Sequence, residues 1–248
     1  MKLSICEVTP TFPWSSQEKL LIAGPCAIEN EESLDETAQL IWNHGWKFLR
    51  GGAFKPRTSP YSFQGLGEKG LQILQRVSKK YSLYSISEVL SEEDVSLVAE
   101  YVDVLQIGAR NSQNTALLKK VGKFQKPILL KRGMMMRLEE LLLAAEYIAM
   151  SGNSNIILCE RGIRTFETAF RNTLDLSAIP YLKEKTKLPI IVDPSHATGN
   201  AAYVPAMTRA ALAAGADGVM IEVHKYPEQA LSDGNQALTF EEFFRLKI

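Results

Sequence analysis

The sequence predicts an α/β protein, and specifically a (β/α)8 barrel. Eight short apolar runs recur along the chain, and an amphipathic segment of helical period follows each of them. The runs are continuous rather than alternating, which is typical of parallel strands buried on both faces. At 248 residues, the chain also has the length of one such barrel. A doubly wound open sheet is the alternative, but the complete count of eight units without a linker favours the barrel.

The eight predicted strands define the organisation of the chain. They span residues 20–23, 47–50, 83–87, 104–107, 127–131, 155–159, 189–192 and 218–223. Between them, Gly45, Gly152 and Gly215 are placed where glycines end helices, and Ser91 followed by two glutamates predicts a helix start. Residues 1–18 fit no repeat unit. We expect them to form an N-terminal extension that closes the barrel bottom or makes an oligomer contact, and residues 19–248 to form the barrel.

Composition excludes several classes of protein. The 28 basic and 28 acidic residues cancel, and there is no basic tract, so nucleic-acid binding is not expected. No apolar run reaches the roughly 18 residues of a membrane span. The N-terminus lacks the apolar core and cleavage site of a secretion signal. Three cysteines make no disulfide framework. We therefore expect a cytoplasmic protein without nucleic-acid or membrane partners.

Positive charge is concentrated at the ends of the predicted strands. Barrel active sites lie at the carboxyl ends of the strands, so these cations should meet on one rim. They are Arg50, Lys55, Arg57, Arg110, Lys131 and Arg161. Arginine and lysine bind carboxylate and phosphate oxygens, so this pattern indicates two anionic substrates or one that carries several phosphates. Arg132 and Arg164 are next in sequence but out of phase, and we expect them at the surface or in salt bridges.

A second group of residues at the same rim has the chemistry of metal ligands. Cys26 follows the first strand, His196 follows the seventh, Glu222 ends the eighth, and Asp233 lies in the loop beyond it. One thiolate, one imidazole and two carboxylates suit a divalent transition metal. Taken alone, Cys26 would be read as a buried structural thiol. The closed barrel makes the first, seventh and eighth strands neighbours, which favours a shared site. We expect His224 to support these ligands from the same strand face.

The motifs that carry these residues resemble those of a known enzyme family. They are GPCAIE, LRGGAFKPRTSPYSFQGLG, LQIGARN, LLKRGM, LCERGIRTFE, VDPSHATG and IEVHKYPEQALSDG. The chain from Leu20 onward resembles the 3-deoxy-D-arabino-heptulosonate 7-phosphate synthases, and within them the compact branch that includes the octulosonate phosphate synthases. Members condense phosphoenolpyruvate with erythrose 4-phosphate, the first step toward chorismate. The segment after LLKRG, Met134–Met136, is more apolar than the family pattern.

The resemblance implies a role for each matched residue. It implies that Cys26, His196, Glu222 and Asp233 bind a divalent metal ion, whether Mn, Fe, Zn or Co. It implies that Arg110, beside Ala109, and Arg161 hold the phosphate of phosphoenolpyruvate, that Arg50 and Lys131 hold its carboxylate, and that Glu88 lies beside it. It implies that Lys55, Pro56, Arg57 and Thr58 bind erythrose 4-phosphate. Lys55, Cys26 and His196 are the expected catalytic residues.

Three alternatives stay open at this stage. An octulosonate 8-phosphate synthase would use arabinose 5-phosphate, but that group has an Ala-Asn-Arg-Ser signature where this chain has KPRTS. A metal-dependent sugar-phosphate aldolase would not need six cations, and a non-catalytic sugar-phosphate-binding barrel would not need the ligand set. We expect a homo-oligomer, a dimer or a tetramer. A folded effector domain needs about 50 residues, and only residues 1–18 precede the predicted barrel. We therefore also expect no response to phenylalanine, tyrosine or tryptophan.

Overall fold

Eight parallel strands close into a barrel in chain order. The computed structural model describes residues 3–14, 18–246 and 248. The strands are β1 (Leu20–Gly24), β2 (Phe48–Arg50), β3 (Tyr84–Val89), β4 (Val104–Ile107), β5 (Ile128–Lys131), β6 (Ile156–Glu160), β7 (Ile190–Val192) and β8 (Gly218–Glu222). β1 pairs with β8 from Leu20 and Gly218 to Gly24 and Glu222. This pairing confirms the predicted barrel and excludes the open sheet.

Helices cover the outside of the barrel and connect successive strands. They are α1 (Glu31–Asn43), α2 (Glu68–Lys80), α3 (Asp94–Tyr101), α4 (Thr115–Val121), α5 (Leu138–Met150), α6 (Ala178–Lys185), α7 (Pro194–Thr198), α8 (Val204–Ala213) and α9 (Phe240–Phe244). Gly45, Gly152 and Gly215 follow α1, α5 and α8 with φ of 77°, 113° and 98°, as expected of helix-ending glycines. Within the described residues, no helix combines the length and the hydrophobicity that a membrane span requires.

Element boundaries differ from the predictions in a few places. β3 continues to Val89, because Glu88 pairs with Gln106 and Val89 with Ile107 on β4. A charged residue can stay in the ladder there because its side chain faces the pocket at the end of the barrel. α3 begins at Asp94, three residues after Ser91. Ser91 Oγ accepts the N–H of Asp94 at 3.3 Å, so Ser91 caps the turn that leads into the helix.

Two apolar layers stabilise the barrel. The larger one lies between strands and helices, and the smaller one fills the barrel interior with side chains that include Leu20, Phe48, Ile157 and Met220. The buried side chain of Trp14 is also part of this inner layer. Its ring lies 4.9 Å from that of Phe48, edge to face, and 5.4 Å from that of Tyr84. Since Phe48 and Tyr84 begin their strands, Trp14 plugs the amino-terminal end of the barrel, opposite the predicted rim.

Candidate active site

The carboxyl-terminal end of the barrel opens into one strongly cationic pocket. All six cations that sequence reasoning selected line it, together with Arg171, which it did not select. The predicted residues Pro56, Thr58, Glu88, Ala109, His196 and Asp233 also line this pocket. Cys26 and Glu222 lie buried beneath it. The strand-end residues come from distant parts of the chain, and the barrel closure brings them to one rim.

Three of the pocket cations are held by partners in the pocket floor. Arg50 Nη1 is 2.7 Å from Glu222 Oε1, with both side chains buried. Lys131 Nζ is 2.5 Å from Asp193 Oδ2 in the same kind of environment. Lys55 Nζ lies 3.0 Å from Cys26 Sγ and donates to the Cys26 carbonyl at 3.2 Å. These partners fix the orientation of the three cations. Each partner uses only part of a cation's hydrogen-bonding capacity, so other N–H groups stay available.

The other three predicted cations have no carboxylate within 4.0 Å among the described residues. They are Arg57, Arg110 and Arg161. Arg57 Nη1 donates to Ser232 Oγ at 2.5 Å. Arg161 is 4% exposed and donates to the carbonyls of His196 and Gly162 at 3.0 and 3.4 Å. Burial lowers the pKa of the Arg161 guanidinium. A buried charge without a nearby carboxylate is costly, and an anion bound in the pocket would lower that cost.

Four residues that could hold a metal ion converge at one side of the pocket floor. One ligand atom from each of Cys26, His196, Glu222 and Asp233 lies within 4.8 Å of all the others. Cys26 Sγ is 3.0 Å from Asp233 Oδ2, and His196 Nε2 is 3.3 Å from Glu222 Oε1. Burial, followed by the charge of Glu222, raises the pKa of the Cys26 thiol to about 12. A divalent cation would reverse this effect, and the sulfur, nitrogen and oxygen donor set fits such an ion.

Asp193 fixes the imidazole of this metal-binding group. Its Oδ2 lies 2.7 Å from His196 Nδ1, and its Oδ1 accepts the His196 backbone N–H at 2.9 Å. Burial alone would raise the pKa of Asp193, but His196 and Lys131 outweigh it and hold this pKa well below its usual range. The anionic Asp193 therefore keeps the Nδ1 proton and turns Nε2 toward the other ligands, a device common at metal sites.

Glycines make room for two of the pocket side chains. A Cβ on Gly52 would lie 2.8 Å from Lys55 Cδ and 2.6 Å from the Cys26 carbonyl oxygen. A Cβ on Gly108 would lie 1.9 Å from Glu88 Oε1. Glu88 also accepts a hydrogen bond from Gln106 Nε2 at 3.1 Å. Because Gly52 and Gly108 have no side chains, the Gly-Gly and Ile-Gly-Ala-Arg motifs leave space for the side chains of Lys55 and Glu88.

Sequence reasoning missed several residues of the site. Asp193 directly follows β7, and its position three residues before His196, as the cap of α7, was an available signal. Arg171 and Gln236 carry no local signal, because they reach the site from long loops. The structure places His224 against Glu29, with 3.6 Å between Nε2 and Oε2, instead of against the metal-binding group.

Arg132 and Arg164, which we expected at the surface or in salt bridges, differ in burial. Arg164 is exposed. Arg132 makes salt bridges, with Glu160 at 2.7 Å and Asp175 at 3.0 Å, but it is 4% exposed and so does not lie at the surface.

Cys159 is buried in the barrel interior. Among the described residues the three cysteines are free thiols.

Comparison with known proteins agrees with this geometry. The family model described as the DAHP synthetase I family matches residues 15–248. The phospho-2-dehydro-3-deoxyheptonate aldolase of Thermotoga maritima is 59% identical over 226 residues, which cover 91% of this chain and 67% of that protein. The 2-dehydro-3-deoxyphosphooctonate aldolase of Desulfatibacillum aliphaticivorans is 35% identical, covering 90% of this chain and 87% of that protein.

Two solved structures from Thermotoga maritima are also similar. The crystal structure of its phospho-2-dehydro-3-deoxyheptonate aldolase has a TM-score of 0.90 and 58% identity, covering 92% of this chain and 67% of that one. A truncated form of its 3-deoxy-D-arabino-heptulosonate 7-phosphate synthase has a TM-score of 0.87 and 55% identity, covering 92% of this chain and 84% of that one. With its barrel, its cationic pocket and these matches, the chain belongs to the DAHP synthetase I family.

Proposed function

We propose that this protein condenses phosphoenolpyruvate with erythrose 4-phosphate and water to give 3-deoxy-D-arabino-heptulosonate 7-phosphate and inorganic phosphate. The observation that carries the proposal is the pairing of two features in one pocket. Arg57, Arg110 and Arg161 lack carboxylate partners among the described residues, and the metal-binding group lies beside them. Two phosphorylated substrates would supply the missing negative charge. Family membership and the printed activity of the 59% identical relative support the same reaction.

Phosphoenolpyruvate would occupy the side of the pocket formed by β2, β4, β5 and β6. Arg110, next to Ala109, and Arg161 would bind its phosphate, and Arg50 and Lys131 its carboxylate. Because Glu222 and Asp193 already hold Arg50 and Lys131 in place, these two cations lose little freedom on binding. Fixed orientation of two reactants removes much of the entropic barrier to their reaction.

Erythrose 4-phosphate would bind against the segment from Lys55 to Thr58. Arg57, fixed by Ser232, and Thr58 would take its phosphate, with Pro56 shaping the wall. Lys55 is 7% exposed and points toward Cys26, so its ammonium would lie beside the aldehyde. We assign to Lys55 the donation of a proton to the aldehyde oxygen as it becomes a hydroxyl.

A divalent cation such as Mn, Fe, Zn or Co, held by Cys26, His196, Glu222 and Asp233, would polarise the aldehyde as a Lewis acid. Carbon 3 of phosphoenolpyruvate then attacks the aldehyde carbon, and positive charge develops at carbon 2. Glu88, held by Gln106, lies at the pocket floor, where its carboxylate favours that charge. Water adds to carbon 2, and phosphate leaves by cleavage of its carbon–oxygen bond.

The test is release of inorganic phosphate from phosphoenolpyruvate by the purified protein. Chelator-treated protein should be inactive, and added Mn²⁺, Co²⁺ or Zn²⁺ should restore turnover with erythrose 4-phosphate. A higher kcat/KM with arabinose 5-phosphate would instead assign the octulosonate activity. If no phosphate is released with either aldose phosphate, both activities are refuted. Light scattering of the same sample would measure whether the protein is the expected dimer or tetramer.

A further inference from the structure

The two carboxylates of the metal-binding group each have one inner and one outer oxygen. Asp233 Oδ2 faces Cys26 Sγ at 3.0 Å, and its Oδ1 accepts from Arg171 Nη1 at 3.0 Å. Glu222 Oε1 faces His196 Nε2 at 3.3 Å and also accepts from Arg50 Nη1 at 2.7 Å, and Glu222 Oε2 accepts from Gln236 Nε2 at 2.6 Å. Thus one oxygen of each carboxylate faces another member of the group, and Arg171 or Gln236 holds the other oxygen.

The two outer residues are themselves joined. Arg171 Nη1 donates to Gln236 Oε1 at 2.7 Å. A continuous hydrogen-bonded chain therefore runs from Asp233 through Arg171 and Gln236 to Glu222. Since the Gln236 side-chain oxygen accepts from Arg171, its nitrogen must face Glu222, so the amide has one orientation that satisfies both neighbours.

Backbone contacts hold this chain in place. The N–H of Arg171 donates to the carbonyl of Thr198 at 3.2 Å, and the N–H of Asn172 to that of Ala197 at 2.8 Å, next to His196. Gly199 has a φ of 70°, and a Cβ there would lie 2.6 Å from Arg171 Cβ. The loop segment that carries Arg171 is thus docked on the α7 region that carries His196.

Asp233 depends on its neighbours for its conformation. Its φ is 56°, a left-handed backbone that is strained for a residue other than glycine. Gln236 is 2% exposed, and its N–H donates to the Asp233 carbonyl at 3.2 Å. The Arg171 guanidinium on Oδ1 holds the Asp233 carboxylate in that strained loop with Oδ2 turned inward.

We propose that Arg171 and Gln236 are positioning residues that present Asp233 and Glu222 to a divalent cation through one oxygen each, and so set the affinity of the group. Arg171 and Gln236 engage the outer oxygens, which leaves Asp233 Oδ2 and Glu222 Oε1 to face the ion, with Oε1 shared with Arg50. Losing such outer partners typically weakens metal affinity about 10–100-fold. The inference rests on the metal centre of the proposed function and adds the residues that shape it.

The experiment titrates metal-free protein with Co²⁺ in the absence of substrates. Absorption of the cobalt–thiolate bond reports binding through Cys26, and activity is not needed. In Arg171→Met and in Gln236→Leu we expect the Kd for Co²⁺ to rise about 10–100-fold, with an altered cobalt spectrum. Arg171→Lys, which keeps a cationic donor, should recover part of the affinity. The matched control is Arg76→Met, which breaks an exposed arginine–glutamate pair with Glu31 on the outside of the barrel and should leave the Kd unchanged.

Each contrary result has a distinct meaning. A wild-type Kd in both Arg171→Met and Gln236→Leu, with circular dichroism showing folded protein, overturns the inference. Arg171 also lines the substrate pocket, so a wild-type Kd for Co²⁺ with a raised KM for erythrose 4-phosphate would assign it to substrate binding instead. If Arg171→Met or Gln236→Leu does not fold, the Kd of the other variant for Co²⁺ decides whether the inference holds. Absence of the thiolate band in the wild-type protein would refute the metal centre of the proposed function itself.

Discussion

Two buried arginines on neighbouring strands should respond in opposite ways to the same substitution. Arg132 and Arg161 follow β5 and β6, and both are 4% exposed. Arg132 binds Glu160, whose side chain is 0% exposed, and Asp175. Arg161 has only backbone carbonyls as acceptors among the described residues. We predict that Arg132→Met damages stability and that Arg161→Met damages catalysis.

The magnitudes follow from what each substitution leaves behind. Arg132→Met leaves the Glu160 carboxylate buried without its cation, which should cost about 3–5 kcal/mol of unfolding free energy. Arg161→Met removes a charge that has no carboxylate within 4.0 Å among the described residues, and the His196 carbonyl keeps the Asn172 side-chain amide as a donor at 3.1 Å. We therefore expect a change of unfolding free energy within about 1 kcal/mol.

If Arg161 binds the phosphate of phosphoenolpyruvate as proposed, the kinetic effect of Arg161→Met comes from the hydrogen bonds lost to that phosphate. Two charge-assisted hydrogen bonds contribute about 1.5–3 kcal/mol each. A total of at least about 3 kcal/mol corresponds to a loss of about 100-fold or more in kcat/KM for phosphoenolpyruvate. The KM for erythrose 4-phosphate should change far less, because we propose that Arg57 and Thr58, not Arg161, bind that substrate.

The Arg132→Met defect should also depend on pH. Burial raises the pKa of Glu160 above its ordinary 4.5, and Arg132 opposes that rise. Without Arg132 this pKa rises further, so the folded protein binds a proton that the unfolded chain releases. Stability then falls as pH rises from the ordinary value through the raised one. The difference in unfolding free energy between wild type and variant should therefore be larger at pH 8 than at pH 5.

The assay is urea unfolding of both variants at these two pH values, together with steady-state kinetics at saturating metal. Equal destabilisation by Arg161→Met and Arg132→Met would refute the distinction between a structural and a substrate-binding arginine. An unchanged kcat/KM for phosphoenolpyruvate in Arg161→Met would remove this residue from the phosphate site.

Three further predictions concern other parts of the molecule. Cys26→Ala should abolish metal-dependent turnover and the cobalt–thiolate absorption while the thermal midpoint of the metal-free protein stays near wild type; retained absorption would exclude Cys26 as a ligand. Arg57→Ala should raise the KM for erythrose 4-phosphate by about 10-fold or more, from the loss of about 1.5–3 kcal/mol; an effect confined to phosphoenolpyruvate would reverse the two anion sites. Trp14→Ala should lower the unfolding free energy by about 3–5 kcal/mol with kcat unchanged, since it empties the barrel end away from the pocket; wild-type urea stability would show that the ring is not part of the core.

Local patterns in the sequence determined the architecture and the placement of six cations at one end of the barrel. Continuous apolar runs that alternate with amphipathic segments specify parallel strands and helices, because each pattern buries the right face of its element. A cation at the end of such a run must leave the core, so the rim positions of Arg50, Lys131 and Arg161 follow from the strands alone. Family motifs added the roles, which remain predictions until the substrates are tested.

Only the tertiary structure decided which charges are paired. Arg132 and Arg161 each follow an apolar run, yet one meets Glu160 and Asp175 and the other meets no acid among the described residues. Arg171 reaches Asp233 across 62 positions of sequence, and Gln236 turns toward Glu222 from a loop with no periodicity. Such contacts depend on how the loops close over the end of the barrel. Loop closure produces no periodic pattern in the sequence, so these contacts could not be predicted from it.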